Sequence, residues 1–152
     1  LIIERSENEV TQLVQDAIAE IDRQTKTDVL IIEDEPLISM DLIQIVESLG
    51  HGVTSVARTA SDAIAAAKAQ TPGLVLADIQ LADGSSGIDA VKDILAEMSV
   101  PVIFITSFPE RLLTGERPEP TFLITKPFNP NTVKAGISQA LFFKGAEEVA
   151  TA

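Results

Sequence analysis

Five polar residues stand where they could act together on phosphorus: Glu33, Asp34, Asp78, Thr106 and Lys126. Each comes at or just after the end of a short apolar run. Val29-Leu30-Ile31-Ile32 leads into Glu33-Asp34-Glu35, and Leu74-Val75-Leu76-Ala77 into Asp78. The run through Ile105 ends in Thr106-Ser107, and Phe122-Leu123-Ile124 ends in Thr125-Lys126-Pro127. An unpaired carboxylate is too costly to bury inside such a run, so the acids must emerge at its carboxyl end. Open parallel sheets place their ligands at that end. Neighbouring strands would bring three carboxylates, a hydroxyl and an ammonium to one edge. Hard divalent cations such as Mg²⁺ take carboxylate oxygens. A carboxylate can attack phosphorus and form an aspartyl phosphate, while the cation offsets repulsion between the acids and the incoming phosphoryl group. Lys126 would hold a phosphoryl oxygen as a point charge, and Thr106 would donate a hydrogen bond to it. A lone Lys-Pro or Thr-Ser pair says nothing, and a single acid after a strand is an ordinary loop start. The ordered set carries the reading.

The elements that must position these residues alternate along the chain. From Val29 onward, strands and helices follow one another, which indicates a parallel α/β sheet. The patterns predict strands over 29–32, 53–57, 74–77, 101–105 and 122–124. They predict helices from Pro36 to Leu49, Ser61 to Ala69, Ile88 to Met98, and from about Asn131 onward, with little to hold the tail after Gly145. Between Phe108 and Pro120 only Arg111-Leu112-Leu113 looks helical. Gly115, Pro118 and Pro120 shorten it, so a stub and a mobile loop are expected. Ahead of the first strand, residues 6 to 25 carry Val10, Leu13, Val14, Ala17, Ile18 and Ile21 on one helical face. Ser6 or Asn8 would cap that helix, and Asp22 to Asp28 reads as a linker. The stripe needs a partner outside the main sheet.

The bulk properties exclude several classes. The chain has 152 residues, near the size of one domain, and 45% of them are hydrophobic, enough for a real core. A net charge of -12 argues against general affinity for nucleic acid and suits divalent cations or a basic partner. There is no Cys and only one His, His51, so thiolate and histidine-rich metal sites are excluded. No apolar run is long enough to span a membrane and nothing resembles a signal peptide, so a cytoplasmic protein is expected. The first residue is Leu1 rather than Met, and a piece of a longer chain is expected.

The order Glu33-Asp34, Asp78, Thr106, Lys126-Pro127 resembles the receiver domains of two-component response regulators, over roughly Asp28 to Leu141. The resemblance implies a doubly wound, flavodoxin-like (βα)5 fold. Its five parallel strands would run in the order 2-1-3-4-5, with the N-terminal helix as an extra element. By position, Asp78 would be the phosphoacceptor. Glu33, Asp34 and Asp78, with the backbone carbonyl of Gln80, would ligate Mg²⁺. Thr106 would be the switch hydroxyl and Lys126 the phosphoryl-contacting lysine, joined to Pro127 by a cis bond. The stretches Phe104 to Gly115, Phe122 to Phe128 and Asp78 to Gly87 are similar to PhyR-type receivers of the alphaproteobacterial general stress response. In that family a sigma-factor-like domain precedes the receiver, and phosphorylation frees it to bind an anti-sigma factor. Residues 1–27 would then be the last helix and linker of such a domain, 28–143 the receiver and 144–152 a flexible tail. A histidine kinase or phosphotransfer protein would be the phosphoryl donor. Two positions depart from the common receiver pattern. Leu123 stands where an aromatic usually precedes the lysine, which brings Phe108 forward as the switch aromatic, and Ala82 stands where many receivers have Pro.

Other functions are weighed against this one. A free-standing receiver acting as a phosphate sink or relay would use the same site, but the apolar stripe of residues 10 to 21 favours a fused domain. A Mg²⁺-dependent phosphohydrolase commonly needs a second Asp two residues after the nucleophile, where this chain has Gln80, so an enzyme is not expected. Flavin binding would need a phosphate-cradling loop after the first strand, and that loop here is acidic. The weak segment 107 to 120 is expected to move on phosphorylation, with Thr106 drawn toward Asp78.

Overall fold

The computed structural model describes residues 7–24, 26–112, 118 and 121–151, with side chains outside 18–24 and 145–151. The element order is α1 (Glu7–Gln24), β1 (Asp28–Ile32), α2 (Pro36–Ser48), β2 (Gly52–Ala57), α3 (Ala60–Ala69), β3 (Leu74–Ala77), α4 (Gly87–Glu97), β4 (Val102–Thr106), a 3₁₀ turn (Pro109–Leu112), β5 (Phe122–Thr125) and α5 (Pro130–Thr151). The five strands form one parallel sheet in the order β2-β1-β3-β4-β5, the doubly wound flavodoxin-like arrangement, with α1 as an added N-terminal helix.

The apolar runs are continuous because both faces of the sheet are covered. Side chains alternate across a strand, and the core divides accordingly. Leu30, Ile32, Val75, Ala77, Val102 and Phe104 pack with Ala63, Ala67, Ile88, Val91 and Ile94 of α3 and α4. Val29, Ile31, Leu74, Leu76, Ile103 and Ile105 pack with Leu42, Ile45, Val46, Val133 and Ile137 of α2 and α5. Local chemistry sets the helix starts. Pro36 occupies the first turn of α2. Thr59 accepts the Asp62 N–H to cap α3, and Ser86 accepts the Ile88 N–H to cap α4.

Several boundaries differ from the sequence reading. The terminal helix continues to Thr151 where a tail after Gly145 is expected, because Ala146-Glu147-Glu148-Val149-Ala150 is rich in good helix formers. Asp22 to Gln24 extend α1 and Asp28 already belongs to β1, so among the described residues only Lys26 and Thr27 remain of the expected linker. Ser6, the suggested cap of α1, lies outside the described residues, as do Leu113 and Gly115. The expected helical stub is a 3₁₀ turn anchored by buried Leu112. On α1, Val10, Leu13 and Val14 are about half exposed. No helix among the described residues is long and apolar enough to cross a membrane.

Candidate functional site

The strand order places β1 and β3 side by side at the point where chain winding reverses, the position where such sheets open a crevice. Ile32 and Ala77 are in register, so the residues that follow them leave the sheet together. Backbone bonds fix both tips: the Glu33 N–H donates to the Ala57 carbonyl at 2.9 Å, and the Asp78 N–H to the Ile32 carbonyl at 2.8 Å. The Asp78 carboxylate is oriented by its own chain, since Oδ1 accepts the Ile79 N–H at 2.7 Å. Gly87, the first residue of α4, approaches this tip closely. A Cβ there would lie 1.7 Å from the Asp78 carbonyl oxygen, and the Gly87 N–H donates to the Ile79 carbonyl at 2.7 Å.

Glu33, Asp34 and Asp78 each present a carboxylate oxygen, all within 4.8 Å of one another. Glu33 and Asp78 are buried and Asp34 is half-buried. Lys126 arrives from β5, two strands from β3, a span of about 10 Å that the long lysine stem helps to cover. The Lys126–Pro127 bond is cis. The Lys126 N–H donates to the Thr106 carbonyl at 2.9 Å, which ties the two strand ends together. Its ammonium Nζ lies 2.7 Å from Glu33 Oε2, 2.8 Å from Asp78 Oδ2 and 3.5 Å from Glu35 Oε2.

The electrostatics follow from this crowding. Burial pushes the Glu33 carboxyl above its ordinary range, and the nearby Asp78 charge adds to that. The hydrogen bonds from Lys126 and the Glu35 N–H oppose it without reversing it. Burial alone would lower Lys126, but its hydrogen bonds to Asp78 and Glu33 outweigh that, and its pKa is pushed up to about 12. Such a notch accommodates positive charge. Its donors are hard carboxylate oxygens on two adjacent strand tips, the set that suits Mg²⁺.

The other sequence-derived candidates lie in the surrounding shell. Thr106 is fully buried at the end of β4, and its Oγ1 accepts the Phe108 N–H at 3.0 Å. Phe108 is 37% exposed just before the 3₁₀ turn. Gln80 is exposed and forms an isolated antiparallel bridge with Ser86 that closes the loop after β3. Inside that loop Asp83 bonds the backbone and hydroxyl of Ser85, which holds its carboxyl below its ordinary range. Sequence reasoning missed two participants. Glu35 stands in the sequence directly after Glu33-Asp34 but is given no role there. Ser85 ties the loop to α3 by accepting the Ala60 N–H at 3.0 Å.

Comparison with known proteins adds three observations. Residues 29–138 match the family described as the response regulator receiver domain. The phyllosphere-induced regulator PhyR of Methylorubrum extorquens is 59% identical over 145 residues, 95% of this chain and 54% of that protein, so the chain spans about half the length of that relative. Among solved structures, the receiver domain of Erythrobacter litoralis PhyR is 67% identical, with 78% of this chain and 92% of that one covered at a TM-score of 0.74. The anti-anti-sigma factor PhyR of Bartonella quintana, in complex with the anti-sigma factor NepR, is 61% identical, with 90% of this chain and 55% of that one covered at a TM-score of 0.63.

Proposed function

This chain belongs to the response regulator receiver domain family, and from that premise we propose that Asp78 is its phosphoacceptor and that phosphorylation there controls an attached output. Glu33, Asp34 and Asp78 would hold Mg²⁺, with the Gln80 carbonyl as a further ligand. The ion supplies charge neutralisation for the acids and for the oxygens of the entering phosphoryl group. The rest is done by the chain itself. An Asp78 carboxylate oxygen forms the new O–P bond, and the P–N bond to the imidazole of a histidine kinase or phosphotransfer protein breaks. Lys126, already at 2.8 Å from Asp78, follows the negative charge onto a phosphoryl oxygen.

The observation that carries this reading is the convergence of three carboxylates and Lys126 at one strand edge. The expected switch runs through Thr106. A hydroxyl that turns to donate to the phosphoryl group gives up its bond from the Phe108 N–H, which loosens the segment that follows. That is the physical route to rearrangement from Ser107 through the 3₁₀ turn at Pro109–Leu112; residues 113–117 and 119–120 of the expected moving segment lie outside the described residues. The output is proposed from the relatives. PhyR of Bartonella quintana is described as an anti-anti-sigma factor and forms a complex with the anti-sigma factor NepR. By likeness, phosphorylation of this receiver would govern whether an upstream sigma-like domain binds an anti-sigma factor. The exposed stripe of Val10, Leu13 and Val14 on α1 supports a neighbour on that side.

Incubation with a labelled acyl phosphate and Mg²⁺ tests the assignment. The wild-type chain should take up label and Asp78→Asn should not. Equal labelling of the variant overturns it.

A further inference from the structure

We propose that Glu35 is a positioning residue that restrains phosphoryl uptake by holding Lys126; the inference rests on the phosphoacceptor reading above. Glu35 occupies the N-cap position of α2, yet its side chain makes no capping bond. Glutamate is absent from the favoured N-cap residues, which are Ser, Thr, Asp and Asn. The side chain instead reaches back over the site to within 3.5 Å of Lys126 Nζ. Its backbone is held independently, because the Glu35 N–H donates to Glu33 Oε1 at 3.1 Å. The carboxylate is therefore free to choose its partner, and it lies beside the ammonium.

Lys126 does not need Glu35 to stay in place. Its side chain is only 8% exposed, and the buried Glu33 carboxylate sits at 2.7 Å. What Glu35 adds is competition. An ammonium has three donors, and here three carboxylates surround it. A phosphoryl oxygen on Asp78 must win Lys126 from these acids while also approaching the Glu35 charge. Glu33 and Asp78 belong to the acid notch itself. Glu35, 61% exposed at the rim, is the competitor outside it. Removing its charge or its reach frees Lys126 for the phosphoryl group.

The test compares labelling rates of wild type, Glu35→Gln and Glu35→Asp with an acyl phosphate and saturating Mg²⁺, at 0.05 and 0.5 M KCl. An exposed ion pair is worth little, so the expected gain is about two- to fivefold for Glu35→Gln. Glu35→Asp keeps the charge but is one methylene shorter, and it should also gain. Both gains should shrink but survive at the higher salt, because the pair is exposed on the Glu35 side yet in contact, and a contact is screened less than a long-range field. An unchanged or slower Glu35→Gln overturns the inference. So does a gain that vanishes at 0.5 M KCl or is absent from Glu35→Asp, since either marks a diffuse field effect. Failure of the wild type to label, or labelling of Asp78→Asn, instead overturns the phosphoacceptor reading beneath it.

Discussion

Lys126 Nζ stands 2.8 Å from Asp78 Oδ2, although 48 residues separate the two in the chain. The same ammonium is 2.7 Å from Glu33 Oε2, so one cation holds together two buried acids on neighbouring strand tips. The site is thus assembled around positive charge, and its behaviour should follow from supplying or removing that charge.

The first consequence concerns stability and pH. Lys126→Met leaves Glu33 and Asp78 facing each other without compensation. Breaking a buried pair this way costs about 3–5 kcal/mol, and the lower end is expected because Glu33 is already inclined to take up a proton. Lys126 is raised from 10.5 to about 12 in the folded chain. Its contribution is therefore fully present below pH 10.5 and is lost as pH rises through about 12. Glu33 is raised as well, so its protonation favours the fold as pH falls toward 4.5. Urea unfolding in EDTA should show a gap between wild type and Lys126→Met that is flat from neutral pH to pH 10.5 and closes above it; it should also narrow in acid, where Glu33 takes up a proton. Glu33→Gln should remove part of the stabilisation seen on acidification. A gap insensitive to high pH contradicts the pairing.

Cation binding should appear as added stability. A ligand that binds only the folded state stabilises it by about 2.7 kcal/mol at a hundred times its Kd. Mg²⁺ should raise the urea midpoint of the wild type, and Glu33→Gln, Asp34→Asn and Asp78→Asn should each lose most of that rise. Asp83→Asn should keep it, because Asp83 is engaged with Ser85 in the loop and is not one of the three clustered acids. An equal loss in Asp83→Asn would point to general screening of an acidic chain.

Two glycines provide a paired test of the backbone around Asp78. At Gly87 a Cβ would sit 1.7 Å from the Asp78 carbonyl oxygen, so Gly87→Ala must push α4 and the β3 tip apart. The expected cost is about 1–3 kcal/mol, with slower phosphoryl uptake. Gly84 has a φ of +79° but open space around it. Gly84→Ala should therefore destabilise by about 1 kcal/mol and leave uptake alone. Denaturation midpoints and labelling rates on the two variants check both halves.

Most of the scaffold was legible because its signals are local. Unbroken runs such as Val29 to Ile32 and Leu74 to Ala77 announce strands buried on both faces, and an acid after each run marks the solvent end. The pairing of Glu35 with Lys126 was not legible, since it spans 91 residues and depends on where β5 lies in the sheet. Nor was the full length of α5, where Gly145 suggested a stop that the helix formers on both sides of it override. The site residues could be gathered from strand ends. Their mutual distances required the sheet order.

The most direct measurement locates the phosphoryl group. Borohydride reduction of the acyl phosphate formed with Mg²⁺ and a phosphodonor converts the modified aspartate to homoserine, which peptide mass spectrometry then places in the sequence. Modification at residue 78, lost without Mg²⁺, is the result this account predicts. Modification at Glu33, Asp34 or any other acid, or none at all in the presence of Mg²⁺, would contradict it.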